Sequence, residues 1–287
     1  MSAAAAFAAS SAWTFVALLL GGLLGVGLSR ALGLAADSLA AYVAGVSASF
    51  VGFVVAAFGA SRALGGRAGA RGGSEDGGFQ GGGSEAGGFQ GGGSEGDGFS
   101  AAAAPAPGTA ARALRLVTTA GAALCLSSAL EQALAVLDLG PIPFVEEVTA
   151  AVAAIDFPAR LALVLPFAVC PALGEELFFR HVLWRRLGPA SPRVRAGVTS
   201  LLFGLAHVDP RHVAAAAALG VFLAAVRARG DGFARCLAAH FTANAAFVLS
   251  AGMGSPERPG LALVVAAAAF ALLAARALRD PIVDAPS

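Results

Sequence analysis

Long apolar segments recur along this sequence and constrain its fold more than any other feature, because about 20 apolar residues are enough for a helix to cross a membrane. Hydrophobic residues make up 57% of the 287 residues and charged residues only 13%, well below the share of about a quarter found in soluble domains. The sequence therefore predicts an all-α fold, a polytopic membrane helical bundle of about eight transmembrane helices. The expected spans are residues 8–28, 39–60, 116–137, 161–184, 195–209, 212–226, 234–252 and 260–278.

The basic residues, all of them arginine, predict the orientation of these spans. If the amino terminus is cytoplasmic, 14 of the 19 basic residues fall at inner loops and span ends. Four fall on the outer side (Arg30, Arg160, Arg211 and Arg258), and Arg180 lies within the membrane. The positive-inside rule therefore predicts that both termini are cytoplasmic. We expect an integral membrane protein of a bacterial inner membrane.

Composition divides the chain into four regions. Residues 1–60 are predicted to form an N-terminal two-helix membrane segment, and residues 113–280 the main helical domain, followed by a short tail at 281–287. Residues 61–112 are rich in glycine and contain a ten-residue near-repeat that begins at Gly72, Gly82 and Gly92. Repeats this short and polar bury no face, so they predict a flexible, disordered cytoplasmic linker.

Three ionisable residues interrupt the apolar segment that runs from residue 161 to 187: Glu175, Glu176 and Arg180. An ionisable group at bilayer depth costs at least about 2.5 kcal/mol, which makes each of them a functional candidate. Glu176 and Arg180 are four residues apart and can form an ion pair on one helix face. Glu175 has no partner nearby in the sequence, which suits a general base. The alternative is a structural ion pair with Glu175 at a hydrated helix end.

Two further residue pairs lie in predicted spans with the same spacing of four residues. They are Phe203 with His207, and His240 with Asn244, so each pair presents one side of its helix. A single histidine in an apolar helix is usually a core residue with satisfied hydrogen bonds. Two histidines, an asparagine and an unpaired glutamate on three helices would be costly to bury separately. We therefore expect them to meet in a cavity that opens to the cytoplasm.

This set of residues suits hydrolysis of a peptide bond by an activated water molecule. Glu175 can take a proton from water while His207 orients it, and His240 and Asn244 can donate hydrogen bonds to the developing oxyanion. The sequence requires no cofactor, but Glu175, His207 and His240 could also hold a divalent metal ion such as zinc. A His-Glu-x-x-His motif is absent, which excludes a conventional zinc protease.

The three motifs, Glu175-Glu176-x-x-x-Arg180, Phe203-x-x-x-His207 and His240-x-x-x-Asn244, occur in the order of a known family. They resemble the signature motifs of the CAAX protease and bacteriocin-processing family, whose members are similar to the type II CAAX prenyl endopeptidase. The resemblance implies an eight-helix membrane fold with a conical cavity and endopeptidase activity, with or without a metal ion. By motif position, it implies that Glu175 and His207 activate water and that His240 and Asn244 stabilise the oxyanion.

The resemblance implies membrane lipid and a peptide or lipidated protein as partners, and the net charge of +1 gives no reason to expect nucleic acid. Two other functions fit the same residues: a non-catalytic membrane scaffold or bacteriocin-immunity protein, and a small transporter with a proton relay. Intact Glu175 and His207 favour the enzyme over the scaffold, and the spans lack the internal repeat expected of a transporter. Glu146 and Glu147 form a second acidic pair without a matching arginine, which predicts a solvated surface in an outer loop.

Overall fold

The computed structural model describes residues 108–137, 143–188, 190–207, 210–229, 232–251, 253 and 259–279, together with 51–56 and the single positions 12, 24, 30, 45, 47 and 48. The predicted spans at 8–28 and 39–60 lie outside the described residues except at these positions. The same holds for most of the glycine-rich linker and for the tail at 281–287.

The described residues form helices and contain no β-strand, which confirms the all-α class. The helices are α1 Thr109–Val136, α2 Pro143–Ala154, α3 Phe157–Arg186, α4 Pro192–Leu205, α5 Pro210–Arg227, α6 Gly232–Ser250 and α7 Pro259–Ala277. Each of the last six predicted spans thus corresponds to a helix, with ends shifted by a few residues.

Three of the described helical stretches are long and apolar enough to cross a membrane: Thr109–Leu134, Phe157–Arg186 and Gly260–Ala277. They support the prediction of an integral membrane protein. The count of eight spans and the cytoplasmic placement of both termini stay predictions.

Two boundaries differ from those expected. Helix α1 begins at Thr109, so residues 109–112 are helical rather than part of the linker. The expected outer loop contains helix α2, which begins at a proline, a residue favoured at the first helical position. Glu146 lies in the first turn of α2, where a negative charge complements the helix dipole. Both Glu146 and Glu147 are exposed, as predicted.

Helix α3 is long and continuous but contains two widened π-helical turns, Leu165–Val169 and Leu177–Leu183. Asp156 caps its start by accepting a hydrogen bond from the Ala159 amide at 2.9 Å. Pro166 and Pro171 have no amide hydrogen to donate to the helix ladder, and the Cys170 amide bonds to the Leu165 carbonyl five residues back. Pro171 and Gly174 are compatible with a break in the helix, but the helix continues and widens on both sides of Cys170–Glu176. π-turns occur frequently at functional sites.

Helix α6 lies at the centre of the described bundle, in contact with α1, α3 and α5. Two buried clusters form much of the core of the described bundle. One joins α1, α5, α6 and α7 through side chains such as Leu223 and Cys236. The other joins α3, α4 and α5 and includes Phe53 from the N-terminal segment, whose ring lies 5.6 Å from that of Phe178 and 5.7 Å from that of Phe179. The N-terminal segment therefore contributes to the same core as the main domain.

Helices α4 and α5 approach closely because glycine lies at their contacts. A Cβ atom at Gly204 on α4 would lie 2.8 Å from the Val213 carbonyl oxygen and 2.8 Å from the Ala217 Cβ on α5. Real Cβ atoms do not approach backbone this closely, so Gly204 fixes the separation of the two helices.

We expect Gly204→Ala to lower the free energy of unfolding by about 1–3 kcal/mol, because α4 and α5 must separate to admit the methyl group. Thermal unfolding in detergent measures the effect. Gly197→Ala on the same helix is the matched control, since a Cβ there meets no atom within 4 Å. The control should be neutral or stabilising by up to about 1 kcal/mol, because alanine favours the helix. Equal stability of the two variants would contradict the close contact.

Candidate active site

Glu176 is the centre of the polar cluster inside the bundle. Its Oε1 atom accepts hydrogen bonds from Arg180 Nη1 at 3.1 Å and from His240 Nδ1 at 2.9 Å. The Glu176 and Arg180 side chains are 0% exposed, and His240 is 2% exposed. The predicted ion pair between Glu176 and Arg180 is therefore present. Because the paired carboxylate accepts but does not donate, the hydrogen-bonding proton lies on His240 Nδ1.

Glu175 lies on the other side of the His240 ring. Its Oε2 atom is 3.8 Å from His240 Nε2, and its side chain is 13% exposed. Within the described structure, Glu175 Oε2 and Glu176 Oε2 are buried without a hydrogen-bond partner. Buried acceptors without a partner are unfavourable by about 1–3 kcal/mol or more, so a hydrogen bond from a water molecule would stabilise either oxygen. Of the two carboxylates, Glu175 is the one that remains accessible.

Phe203 joins the three motifs through its ring, which is fully buried. The ring centroid lies 5.1 Å from that of His207 and 5.4 Å from that of His240. The Arg180 guanidinium stands over the same ring, 4.3 Å from its centroid. A cation over an aromatic face is attracted by the ring quadrupole, so Phe203 stabilises the buried arginine and orders both histidines around it.

His207 lies immediately after the end of α4, and this position sets its tautomer. The His207 amide bonds to the Gly204 carbonyl at 2.9 Å, three residues back, so it does not use the Phe203 carbonyl. His207 Nδ1 bonds to that Phe203 carbonyl at 2.9 Å instead. A carbonyl oxygen only accepts, so the proton of neutral His207 lies on Nδ1 and Nε2 is left as the proton acceptor.

Asn244 lies one turn beyond His240 on α6 and is partly buried. The structure thus brings together Glu175, Glu176, Arg180, Phe203, His207 and His240 around one phenyl ring and one carboxylate, with Asn244 on the following turn. The three motifs meet, as their spacing suggested. The roles of the individual residues stay predictions.

The proposed metal ligands Glu175, His207 and His240 are all described, and they do not form a group of three that could hold a metal ion. His240 Nε2 lies 3.8 Å from the Glu175 carboxylate, but His207 does not join these two donors in a group of three. The arrangement of these donors therefore does not fit a metal centre.

Two features of the site were not anticipated from the sequence. The contact of His240 with Glu176 joins residues 64 positions apart, and no local pattern signals it. Helix α5, which carries no motif residue, also contacts Arg180. The Gly220 carbonyl accepts a hydrogen bond from Arg180 Nη2 at 3.3 Å, and Arg227 Nε donates one to the Arg180 carbonyl at 2.9 Å.

Fold and site together define a helical integral membrane protein with a polar cluster of two glutamates, an arginine and two histidines, of which Glu176, Arg180 and His240 are buried. Residues 157–246, from the start of α3 to within α6, match a protein-family model described as type II CAAX prenyl endopeptidase Rce1-like. The match covers all three motifs, confirms the family resemblance and indicates a membrane protease. No curated protein and no solved structure matches the chain.

Proposed function

We propose that this protein is an intramembrane endopeptidase that hydrolyses a peptide bond with water activated by Glu175 and His207, in a cavity open to the cytoplasm. The observation that supports this most strongly is the position of His240 between two glutamates. Glu176 holds Nδ1 at 2.9 Å, and Glu175 faces Nε2 at 3.8 Å. A histidine fixed on one nitrogen and facing an accessible carboxylate with the other suits catalysis better than packing.

Glu175 and His207 are the groups suited to activate the water. Glu175 Oε2 has an unused lone pair, and neutral His207 has an unprotonated Nε2. As the water oxygen forms a bond to the carbonyl carbon of the scissile peptide, one water proton moves to the Glu175 carboxylate, and His207 orients the water. This proton is then delivered to the nitrogen of the leaving amine when the carbon–nitrogen bond breaks.

His240 and Asn244 are suited to stabilise the charge that develops on the carbonyl oxygen. Because Nδ1 of His240 donates to Glu176, its Nε2 atom donates to an oxyanion only when the ring carries both protons. The two carboxylates flank the ring, with Glu176 Oε1 at 2.9 Å from Nδ1 and Glu175 Oε2 at 3.8 Å from Nε2. The Asn244 side-chain amide on the following turn supplies a second donor. Fixed donors of this kind commonly contribute about 10²–10³-fold to the rate.

The description of the matched family supports a substrate class. Prenyl endopeptidases, as the name states, act on prenylated proteins, and the matched residues 157–246 include all three motifs. We therefore propose a peptide with a lipidated cysteine near its carboxy terminus as the first substrate to test, and a small unlipidated peptide as the second.

A cleavage assay with purified protein in detergent or vesicles tests this function. Wild-type protein is expected to cleave a farnesylated carboxy-terminal peptide, with the products identified by mass spectrometry. His207→Gln should reduce the rate by about 10²-fold or more, since the imidazole Nε2 that orients the attacking water is lost. His212→Gln is the matched control, because His212 is exposed at the start of α5.

A chelator is expected to leave cleavage unchanged, because the donor set does not fit a metal centre. Loss of activity with a chelator, reversed by zinc, would replace the water mechanism above with a metal-dependent one. Failure of the wild-type protein to cleave either peptide class would favour the non-catalytic scaffold.

A further inference from the structure

Helix α5 contributes no motif residue, yet it contacts Arg180 at both the side chain and the backbone. Near the middle of α5, the Gly220 carbonyl accepts a hydrogen bond from Arg180 Nη2 at 3.3 Å. At the end of α5, Arg227 Nε donates to the Arg180 carbonyl at 2.9 Å. Arg180 is thus held at two points seven residues apart on one rigid helix.

The contact with Arg227 arises from the π-turn at Leu177–Leu183. In a regular α-helix the Trp184 amide would bond to the Arg180 carbonyl, four residues back. Here the Trp184 amide bonds to the carbonyls of His181 and Phe179. The Arg180 carbonyl is therefore released from this bond and accepts the one from Arg227. The widened turn gives α5 access to the backbone of the motif.

The contact with Gly220 depends on the absence of a side chain. A Cβ atom at Gly220 would lie 3.1 Å from Ser200 Cα and 3.2 Å from Phe203 Cδ1, closer than most real Cβ contacts. Glycine lets α5 come close enough to α4 for the Gly220 carbonyl to reach Arg180. A helix carbonyl has two lone pairs, so it can accept this bond in addition to its bond within the helix.

Arg180 in turn links helix α5 to His240 through the Glu176 carboxylate. Arg180 Nη1 and His240 Nδ1 share the same oxygen of Glu176, at 3.1 Å and 2.9 Å. A shift of Arg180 would therefore move the oxygen that fixes His240, and the Arg180 guanidinium would leave the face of Phe203, on which both histidines pack.

We propose that Gly220 and Arg227 are positioning residues of the active site, which act through Arg180 and Glu176 to fix the orientation of His240. The proposal rests on the endopeptidase function proposed above and adds helix α5 to the three motif helices. Neither residue contacts the peptide; their effect falls on the chemical step.

Steady-state kinetics with the farnesylated peptide tests the proposal. Gly220→Ala and Arg227→Met are each expected to lower kcat about 10–100-fold, since misplacement of a catalytic group by about 1 Å can reduce the rate 10²-fold. KM should change less than about twofold, because ground-state binding is not altered. Arg227→Lys keeps a charged donor and should restore part of kcat.

Two matched controls separate positioning from general structure. Gly197→Ala adds the same methyl group on α4 where a Cβ meets no atom within 4 Å. Arg229→Met removes an arginine whose Nε also donates to a backbone carbonyl, that of Leu278 at 3.1 Å, away from Arg180. Both controls are expected to keep wild-type kcat. A rise in KM in Arg227→Met at unchanged kcat would overturn the proposal, since Arg227 would then bind substrate directly.

A second measurement does not depend on any substrate. The chain has four histidines, so the ring ¹⁵N signals can be assigned by single substitutions. In Arg227→Met and Gly220→Ala, the Nδ1 signal of His240 should shift, because its bond to Glu176 is loosened, and should stay in place in both controls. An unmoved signal in Arg227→Met overturns the positioning role, even if the wild-type protein cleaves no peptide. If the signal shifts but the wild-type protein cleaves no peptide, the positioning role of Gly220 and Arg227 is supported and only the endopeptidase function is rejected.

Discussion

Glu175→Gln is expected to abolish peptide cleavage, with a fall in kcat of about 10²–10⁴-fold, the range that a general base supplies. Glutamine has nearly the same shape as glutamate but cannot take up a proton from water. The Glu175 side chain is partly exposed and its Oε2 atom lacks a hydrogen-bond partner among the described residues, so the substitution breaks no existing hydrogen bond of that atom. The loss should therefore appear in kcat, with little change in stability.

Single-turnover cleavage of the farnesylated peptide measures the effect, and thermal unfolding of the same samples checks the stability. Glu147→Gln is the matched control, since Glu147 belongs to the second acidic pair and lies exposed on α2. The control should retain wild-type cleavage. If Glu175→Gln retained more than about a tenth of the rate, a different group would be the base, and His207 would become the first candidate.

Local spacing made much of this site predictable from the sequence. The pairs Glu176 with Arg180, Phe203 with His207, and His240 with Asn244 each lie within one helical turn or at its end, so a spacing of four residues suffices to place them on one face. The apolar segments gave the helices α1 and α3–α7 to within a few residues for the same reason. The length and hydropathy of an apolar segment are properties of its own residues and do not depend on distant contacts.

Long-range register was not predictable. His240 meets Glu176 because α6 packs against α3 with one particular axial offset between the two helices. That offset depends on side chains along both helices. The sequence assigned Glu176 to Arg180 alone; the structure adds His240 to the same oxygen. The contacts of α5 with Arg180 were not predictable for a similar reason, since neither Gly220 nor Arg227 belongs to one of the pairs spaced by four residues.

The sequence also did not determine the local backbone geometry of α3 or the presence of helix α2. Proline in an apolar segment is compatible with a kink, a break or a π-turn, and only packing decides among them. In α3 the outcome is two π-turns on either side of Cys170–Glu176. Helix α2 was missed because its 12 residues are too short for a membrane span, which was the pattern sought in that region.

Arg180→Met is expected to lower the free energy of unfolding by about 3–5 kcal/mol, because it leaves the Glu176 charge buried without its main partner. Methionine replaces the volume of the arginine stem, so the loss measures charge rather than a cavity. Chemical unfolding in detergent gives the free energy. Arg193→Met, at an exposed position near the start of α4, is the control and should change stability by less than about 0.5 kcal/mol.

The double variant Glu176→Gln with Arg180→Met decides whether charge is the cause. A neutral glutamine can still accept a hydrogen bond from His240 Nδ1 through its side-chain carbonyl, so most of the lost stability should return. If the double variant were as unstable as Arg180→Met alone, the arginine would instead stabilise the fold through its bond to Gly220 and its contact with Phe203.

The same double variant is expected to stay inactive although it is folded. The charged acceptor that fixes the Nδ1 proton of His240 is gone, and the weaker bond to a neutral glutamine holds the ring less firmly with its Nε2 atom towards the oxyanion. Recovery of stability without recovery of cleavage would assign the buried ion pair to catalysis rather than to folding. That result fits the general behaviour of buried ion pairs, which an apolar or neutral replacement often matches in stability. Recovery of both would show that Glu176 and Arg180 serve the fold alone and that Glu175 and His207 act without an oriented His240.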